Sequence, residues 1–386
     1  MERIRIAFFG PTNSGKSTLV NAIAGQQVSL VSDVPGTTTD PVRKAIELPG
    51  IGPCVLIDTA GLDDTSVLGA ERLRLTRAVL DETDIAVVLP MASNERHQAR
   101  KRGQNALNGP DIVPLATQAG IPVIPYTRGE SIASLLQRIQ EACPKEEARF
   151  LTGDLVQAGD TVLLVMPQDS EAPKGRIILP QVQVLRELLD RQCSALCCTP
   201  DSLPSTLKSL RTPPTLTITD SQVFTFVDKA IPADWPLTSF SVLLAAAKGD
   251  IRVFVEGAKA IEKLNGRSRV LIAEACTHVP DTEDIGRVKI PALLRKKIEM
   301  AGQAGNDVGQ AGMTVDIAAG NDFPEDLSPY DLIIHCGACV AGRQIVRART
   351  RKALLDGVPI TNYGIALAQL KGLLGRIVIP GLQTRR

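Results

Sequence analysis

Aromatic residues are scarce in this chain, 3% of 386 residues, with one tryptophan and three tyrosines. A surface that stacks nucleobases needs more of them, so no nucleic acid partner is expected. Charge of one sign is missing as well: 43 lysines and arginines meet 42 acidic residues, a formal net charge of +1. Such a balance exerts no global pull on polyanions or on an anionic membrane surface. No apolar run approaches the roughly 20 residues that cross a bilayer, and Met1-Glu2-Arg3-Ile4-Arg5 has no signal-peptide pattern. Eight cysteines in so long a chain are too few for a disulfide scaffold. Together these deficits predict a cytoplasmic protein with reduced thiols, no membrane and no nucleic acid. Histidine is rare too, but two of the three, His278 and His335, stand beside cysteines.

What the chain does have is apolar substance, at 44% hydrophobic, and a length beyond one ordinary domain. Short apolar runs at Arg5–Phe9, Val55–Ile57 and Ile85–Leu89 read as strands buried on both faces of a parallel sheet. The pattern restarts near residue 150, with a strand at Thr161–Met166, a helix at Gln181–Asp190 and a strand at Thr215–Ile218. It restarts again after Gly266, with strands at Arg269–Ala273 and Tyr330–Ile334 and a helix from Arg343 to about Leu355. Polar, basic Glu95–Gln104 reads as a solvated loop or frayed helix. The expected fold is α/β, in three units with mainly parallel sheets: 1–150, a P-loop domain; 151–264, a central domain; and 265–386, a domain holding a Cys/His site.

Gly10-Pro11-Thr12-Asn13-Ser14-Gly15-Lys16-Ser17 fits G-x-x-x-x-G-K-[ST] between a strand and a helix. At that spacing backbone N–H groups converge on phosphates, with the helix N-terminus adding its dipole. Lys16 then neutralises β/γ oxygens and the Ser17 hydroxyl ligates Mg²⁺, with Thr18 following in the same turn. Asp58-Thr59-Ala60-Gly61 follows a strand, where a carboxylate approaches the metal through water and the Gly61 N–H meets the γ-phosphate. The hydroxyl-rich loop Pro35–Pro41 lies between them. These elements resemble the translation-factor-related GTPases, in which the threonine matching Thr38 ligates Mg²⁺. The resemblance implies catalytic roles for Lys16, Thr38, Asp58 and Gly61, and GTP or GDP held by Gly10, Asn13, Ser14, Gly15, Lys16, Ser17, Thr18, Thr38 and Asp58. Leu62 stands where Ras-like proteins have the glutamine that orients water. Asn13 matches the position that helps bind an activating K⁺ in GTPases related to the tRNA-modification protein MnmE; it also suits a turn. No Asn-Lys-x-Asp tetrad, the usual guanine reader, occurs anywhere in the chain. Its place is expected around Asp111–Gln118, with Tyr126-Thr127-Arg128 loosely like the usual Ser-Ala-Lys.

Cys276-Thr277-His278 and His335-Cys336-Gly337-Ala338-Cys339 each follow a predicted strand, at the sheet edge where ligand sites form. Three thiolates from two such loops suit an Fe–S cluster or zinc, with Gly337 letting the Cys-x-x-Cys turn fold tightly. A [4Fe–4S] cluster on Cys276, Cys336 and Cys339 is favoured, with His278 or His335 as fourth ligand. A structural Cys₃His zinc site and a chance trio of buried cysteines stay open. Cys193, Cys197 and Cys198 read as small buried hydrophobes.

A GTPase followed by C-x-H and H-C-x-x-C resembles the HydF family of [FeFe]-hydrogenase maturation GTPases over essentially the whole chain. Ala172–Arg176, Leu179–Gln181, Leu237–Ser241, Asp284–Pro291 and Pro359–Gly364 carry the likeness further. The chain departs from it in lacking Asn-Lys-x-Asp and in Val279, where many members have a second histidine. The resemblance implies guanine specificity, a central dimerisation domain and hence a homodimer, and a C-terminal [4Fe–4S] domain. It also implies a scaffold that carries a di-iron precursor from two radical-SAM maturases to apo-[FeFe]-hydrogenase. An RNA-modification or ribosome-assembly GTPase with structural zinc is the alternative.

Overall fold

A computed structural model of the chain describes residues 3–11, 14–25, 41–59, 69–89, 109–143, 150–167, 178–275, 284–303, 312–320, 322–339 and 341–382. It divides into two compact units, Met1–Glu146 and Glu147–Arg386.

The first unit is built on β1 (Ile4–Phe9), β2 (Val42–Leu48), β3 (Gly52–Asp58), β4 (Ile85–Val88) and β5 (Val123–Pro125). They lie in the order β2-β3-β1-β4-β5, parallel except for β2, which pairs antiparallel with β3. Successive residues of β1 point to opposite faces, and both faces are apolar because helices cover both. Ile6 and Phe8 pack with Leu19, Val20, Leu135 and Ile139, from helices Lys16–Ile23 and Ile132–Ala142. Ala7 and Phe9 pack with Val79, Leu80, Ile112 and Ala116, from helices Gly69–Glu82 and Gly109–Gln118. Residues 111–118, the expected place of the guanine-reading tetrad, are therefore helical. The loop after the fifth strand is Tyr126–Ser131 instead. Glu95–Gln104 lies outside the described residues.

In the second unit β6 (Thr161–Val165), β7 (Ser194–Cys198), β8 (Leu216–Thr219) and β9 (Leu237–Ser239) form one parallel sheet, ordered β7-β6-β8-β9. A second parallel sheet holds β10 (Arg269–Glu274), β11 (Thr314–Ala319), β12 (Leu332–His335) and β13 (Ile360–Asn362), ordered β11-β10-β12-β13. One buried apolar cluster contains Leu163, Val165, Leu237 and Val242 together with Val270, Ile272, Ile333 and Ile360. The two sheets thus share a core within a single compact unit. Helix Ile251–Ala258 precedes the expected boundary at 264 yet packs on β13. It does so through Gly257, where an added Cβ would lie 2.0 Å from the Ile360 carbonyl oxygen. Thr361 Oγ1 donates to the Phe254 carbonyl across the same contact, at 2.8 Å. Among the described residues no helix is long and apolar enough to cross a membrane.

Candidate functional sites

β1 ends in the phosphate loop because Gly10 and Gly15 permit what other residues would not. A Cβ on Gly10 would meet the Leu89 carbonyl oxygen at 2.7 Å, and Gly15 sits at φ +94° immediately before the helix. Lys16 is the first helical residue and is buried, its Nζ donating to the carbonyls of Gly10 (2.9 Å) and Pro11 (2.6 Å). The ammonium is thereby curled over the loop it serves. Ser17 and Thr18 are exposed on the same first turn.

β3 brings Asp58 alongside β1, with Phe8 and Asp58 in register. Thr59 Oγ1 donates to the Phe8 carbonyl at 2.7 Å and fixes the chain where it leaves the sheet. Burial pushes the Asp58 carboxyl above its ordinary range, against a hydrogen bond from Ser17 and the charges of Lys16 and Lys44. Asp58 Oδ1 and Ser14 Oγ are both buried without a hydrogen-bond partner. Buried polar atoms of native proteins are nearly always satisfied, so two orphans beside one lysine mark a place for a polar ligand. A nucleotide's phosphates with Mg²⁺ fit that set: a cation for β/γ oxygens, a hydroxyl for the metal and a carboxylate one water further out. Asn13, Thr38 and Gly61, expected at the same site, lie outside the described residues.

The second site lies at the carboxyl edge of the β10–β12 pair. Cys336 follows β12 directly and is 8% exposed. Its sulfur accepts backbone N–H bonds from Ala275 (3.1 Å) and Ala338 (3.4 Å). The first comes from the residue before Cys276, so the ends of two neighbouring strands meet on this sulfur. Cys276 and His278 themselves lie outside the described residues. Cys339 is exposed, three residues beyond Cys336. Lys248 ties the intervening turn down through the carbonyls of Ala338 and Ala341. The left-handed residue of the turn is Ala338 (φ +50°), where the sequence pointed to Gly337.

His335 is the last residue of β12 and fully buried. Its Nδ1 lies 2.7 Å from the Cys336 carbonyl oxygen and so carries the proton, which leaves Nε2 to accept from Arg349 Nη1 at 3.3 Å. Burial, and then the Arg349 guanidinium, drive its pKa down to about 3, so the ring is neutral. In this arrangement both ring nitrogens are engaged and His335 braces the Cys336 backbone. Asn362 Nδ2 supports the same carbonyl at 3.1 Å. Nearby, the Tyr363 hydroxyl is buried without a partner. Glu274, 1% exposed, pairs with Arg287 at 2.8 Å.

β7 is an edge strand, and there Cys197 is exposed and Cys198 half-buried, whereas Cys193 is buried as expected. The expectation of three buried hydrophobes fails at the edge because that strand has a solvent side. Among the described residues no group of three or more Cys, His, Asp or Glu could hold a metal ion.

A phosphate loop on a doubly covered sheet, followed in the chain by two parallel sheets with a shared core, defines a multidomain protein of the P-loop nucleotide-binding class. Residues 5–115 match a family model described as 50S ribosome-binding GTPase. Residues 151–249 match the hydrogen maturase F dimerization domain, and 252–380 match the hydrogen maturase F tetramerization domain. The chain belongs to the hydrogen maturase F family: a GTPase domain is followed by that family's dimerization and tetramerization domains.

Curated relatives are similar over the GTPase part. The tRNA modification GTPase MnmE of Nitrosomonas europaea is 38% identical over 118 residues, covering 30% of this chain and 25% of its own. MnmE of Methylobacterium sp. (strain 4-46) is 34% identical over 156 residues, 36% of this chain and 34% of its own. The chain thus spans about a quarter to a third of the length of these relatives. Among solved structures, a single-residue variant of Aquifex aeolicus Era bound to GDP.AlF4- aligns at 18% identity and TM-score 0.27, over 52% of this chain and 93% of that one.

Proposed function

We propose that the protein is a cytoplasmic scaffold that holds a [4Fe–4S] cluster on Cys276, Cys336 and Cys339. It receives a di-iron precursor from radical-SAM maturases and delivers that cargo to apo-[FeFe]-hydrogenase. The observation that carries this reading is the Cys336 sulfur, buried at a strand end and accepting two backbone N–H bonds within a Cys-x-x-Cys turn. N–H···S bonds of this kind suit a ligating thiolate, since they offset its charge where water is excluded. The orphaned Tyr363 hydroxyl is a further donor awaiting an acceptor nearby. A cluster held by Cys276, Cys336 and Cys339 would leave one iron without a protein thiolate, open to a cargo ligand. The fourth ligand, if the chain provides one, is His278. GTP hydrolysis acts at a separate site, and the state of the bound nucleotide sets partner affinity.

Anaerobic iron and sulfide analysis of the reconstituted full-length protein, with EPR after dithionite reduction, tests the reading. About four irons per chain with a reduced-cluster signal are expected for a [4Fe–4S] centre. Stoichiometric zinc with no EPR signal would replace the scaffold by a zinc-structured GTPase.

Asn13 carries a second inference at the nucleotide, an activating K⁺ that supplies the charge an arginine finger gives elsewhere. Hydrolysis is expected to run at least tenfold faster in potassium than in sodium buffers, on the order of the 1.4 kcal/mol that separates decades in rate. Equal rates in the two salts remove K⁺ from the site.

A further inference from the structure

All of β1, β3, β4 and β5 run parallel, so the loops that follow them gather at one edge of the first sheet. One of those strands leads into Gly10–Ser17 and another ends on Asp58. In an open α/β sheet the ligand lies at that edge. A nucleotide with its phosphates on the first loop finds the loop after β5, Tyr126–Ser131, among those that can meet its base.

Guanine differs from adenine on the edge bearing N1 and C2. There guanine presents an N1–H and an exocyclic N2–H, while adenine presents a lone pair and a C–H. One carboxylate accepting both guanine donors distinguishes the two bases. A site built on such bonds rejects the analogue lacking them by about 10⁴–10⁵-fold.

Glu130 is the one acidic residue between Tyr126 and Ser131. Its carboxylate is already taken. Arg138 Nη2 lies 2.7 Å from each of its oxygens, Ser134 Oγ 3.0 Å from Oε1, and the Thr127 N–H 3.4 Å from Oε2. Arg138 Nη1 also donates to the carbonyl of Pro125 at 2.9 Å, which anchors the ion pair to the last residue of β5. The Tyr126 hydroxyl approaches the Glu130 carbonyl at 3.4 Å, so the loop closes on itself. Turning this carboxylate toward a base would break charge-assisted bonds that fix the loop's shape. Nor does the chain contain Asn-Lys-x-Asp at any other position. The loop's exposed remainder includes the Arg128 guanidinium, a planar cation that stacks on any purine.

We propose that the N-terminal unit does not select guanine and that ATP is a second substrate beside GTP. The chemistry is the same for both. A water oxygen bonds to the γ-phosphorus, the bond from that phosphorus to the β–γ bridging oxygen breaks, and nucleoside diphosphate, phosphate and a proton leave. The inference rests on the nucleotide-hydrolase assignment and is independent of the cluster.

Phosphate release by the full-length protein, measured for GTP, ITP and ATP, tests it. The kcat/KM values are expected to fall within about tenfold of one another, against the much larger gap of a site that reads the base. Lys16→Ala must lower turnover of all three by the same factor, about 10²–10³-fold, which excludes a contaminating ATPase. Glu130→Gln is expected to leave the GTP/ATP ratio unchanged, and because it is a ratio the readout survives partial unfolding. A GTP preference above about 100-fold overturns the proposal, and so does a preference that disappears in Glu130→Gln. Absence of binding and turnover for every nucleotide overturns it together with the hydrolase assignment, a result distinct from a GTP-only enzyme.

Discussion

Lys16→Ala is expected to lower kcat/KM for GTP hydrolysis by about 10²–10³-fold, the loss seen when one preorganised charge-stabilising donor is removed. The basis is its position. The side chain is 6% exposed and its ammonium lies at the mouth of the loop, 2.9 Å from the Gly10 carbonyl oxygen. In so sheltered a site a fixed positive charge acts through a low local dielectric and needs no reorganisation as charge builds on the γ-phosphoryl oxygens. A second consequence reaches the metal. Burial already raises the Asp58 pKa, and Lys16 is one of the charges that hold it down. Without Lys16 the carboxyl moves further up and supports Mg²⁺ less well. Two functions fail together, so Lys16→Ala/Asp58→Asn is expected to be scarcely slower than the worse single variant. Lys16→Arg is not expected to rescue, because a planar guanidinium cannot take the place of a compact ammonium between two carbonyls. Single-turnover hydrolysis, with circular dichroism as a folding control, gives the comparison. Turnover in Lys16→Ala within threefold of the parent would put the catalytic charge elsewhere.

The phosphate site was legible because its parts are contiguous: eight residues between one apolar run and one helix specify both chemistry and place. Parallel order followed from the same buried runs. β2 was not legible by that criterion. Val42–Leu48 alternates, and only Leu48 of its seven residues is buried, so a search for continuous apolar runs passes over it. Its signal was the period of two, together with the Pro49-Gly50 turn that sets it antiparallel to β3. The shared core of the second unit left no mark in sequence either, since Leu163 and Val270 look alike whether their sheets bury separate cores or one. At the cysteine site two details differ from what adjacency in sequence suggests. Gly337 looked like the flexible residue of the turn, yet the left-handed backbone falls on Ala338. His335 looked like a ligand because it adjoins Cys336. Adjacency along a strand instead points successive side chains to opposite faces, and the face His335 occupies is the one with Arg349.

That last difference separates two variants sharply. Cys336→Ser is expected to abolish bound iron and the reduced-cluster EPR signal, because a serine oxygen is a harder donor than the thiolate the centre selects. The substitution also leaves the Ala275 and Ala338 N–H groups around an atom of smaller radius, so reconstitution should not restore the loss. His335→Gln is expected to behave in the opposite way, keeping iron at the parental stoichiometry while lowering stability by about 1–3 kcal/mol, the cost of disturbing a buried hydrogen-bonded group. The loss stays bounded because Arg349 keeps its bond to the Glu274 carbonyl at 3.0 Å, and Asn362 still holds the Cys336 carbonyl. Iron content and denaturant midpoint, measured on the same samples, read the two effects separately. Loss of iron from His335→Gln with native circular dichroism would return His335 to the metal's coordination sphere. Full iron in Cys336→Ser would remove the cluster from this strand end.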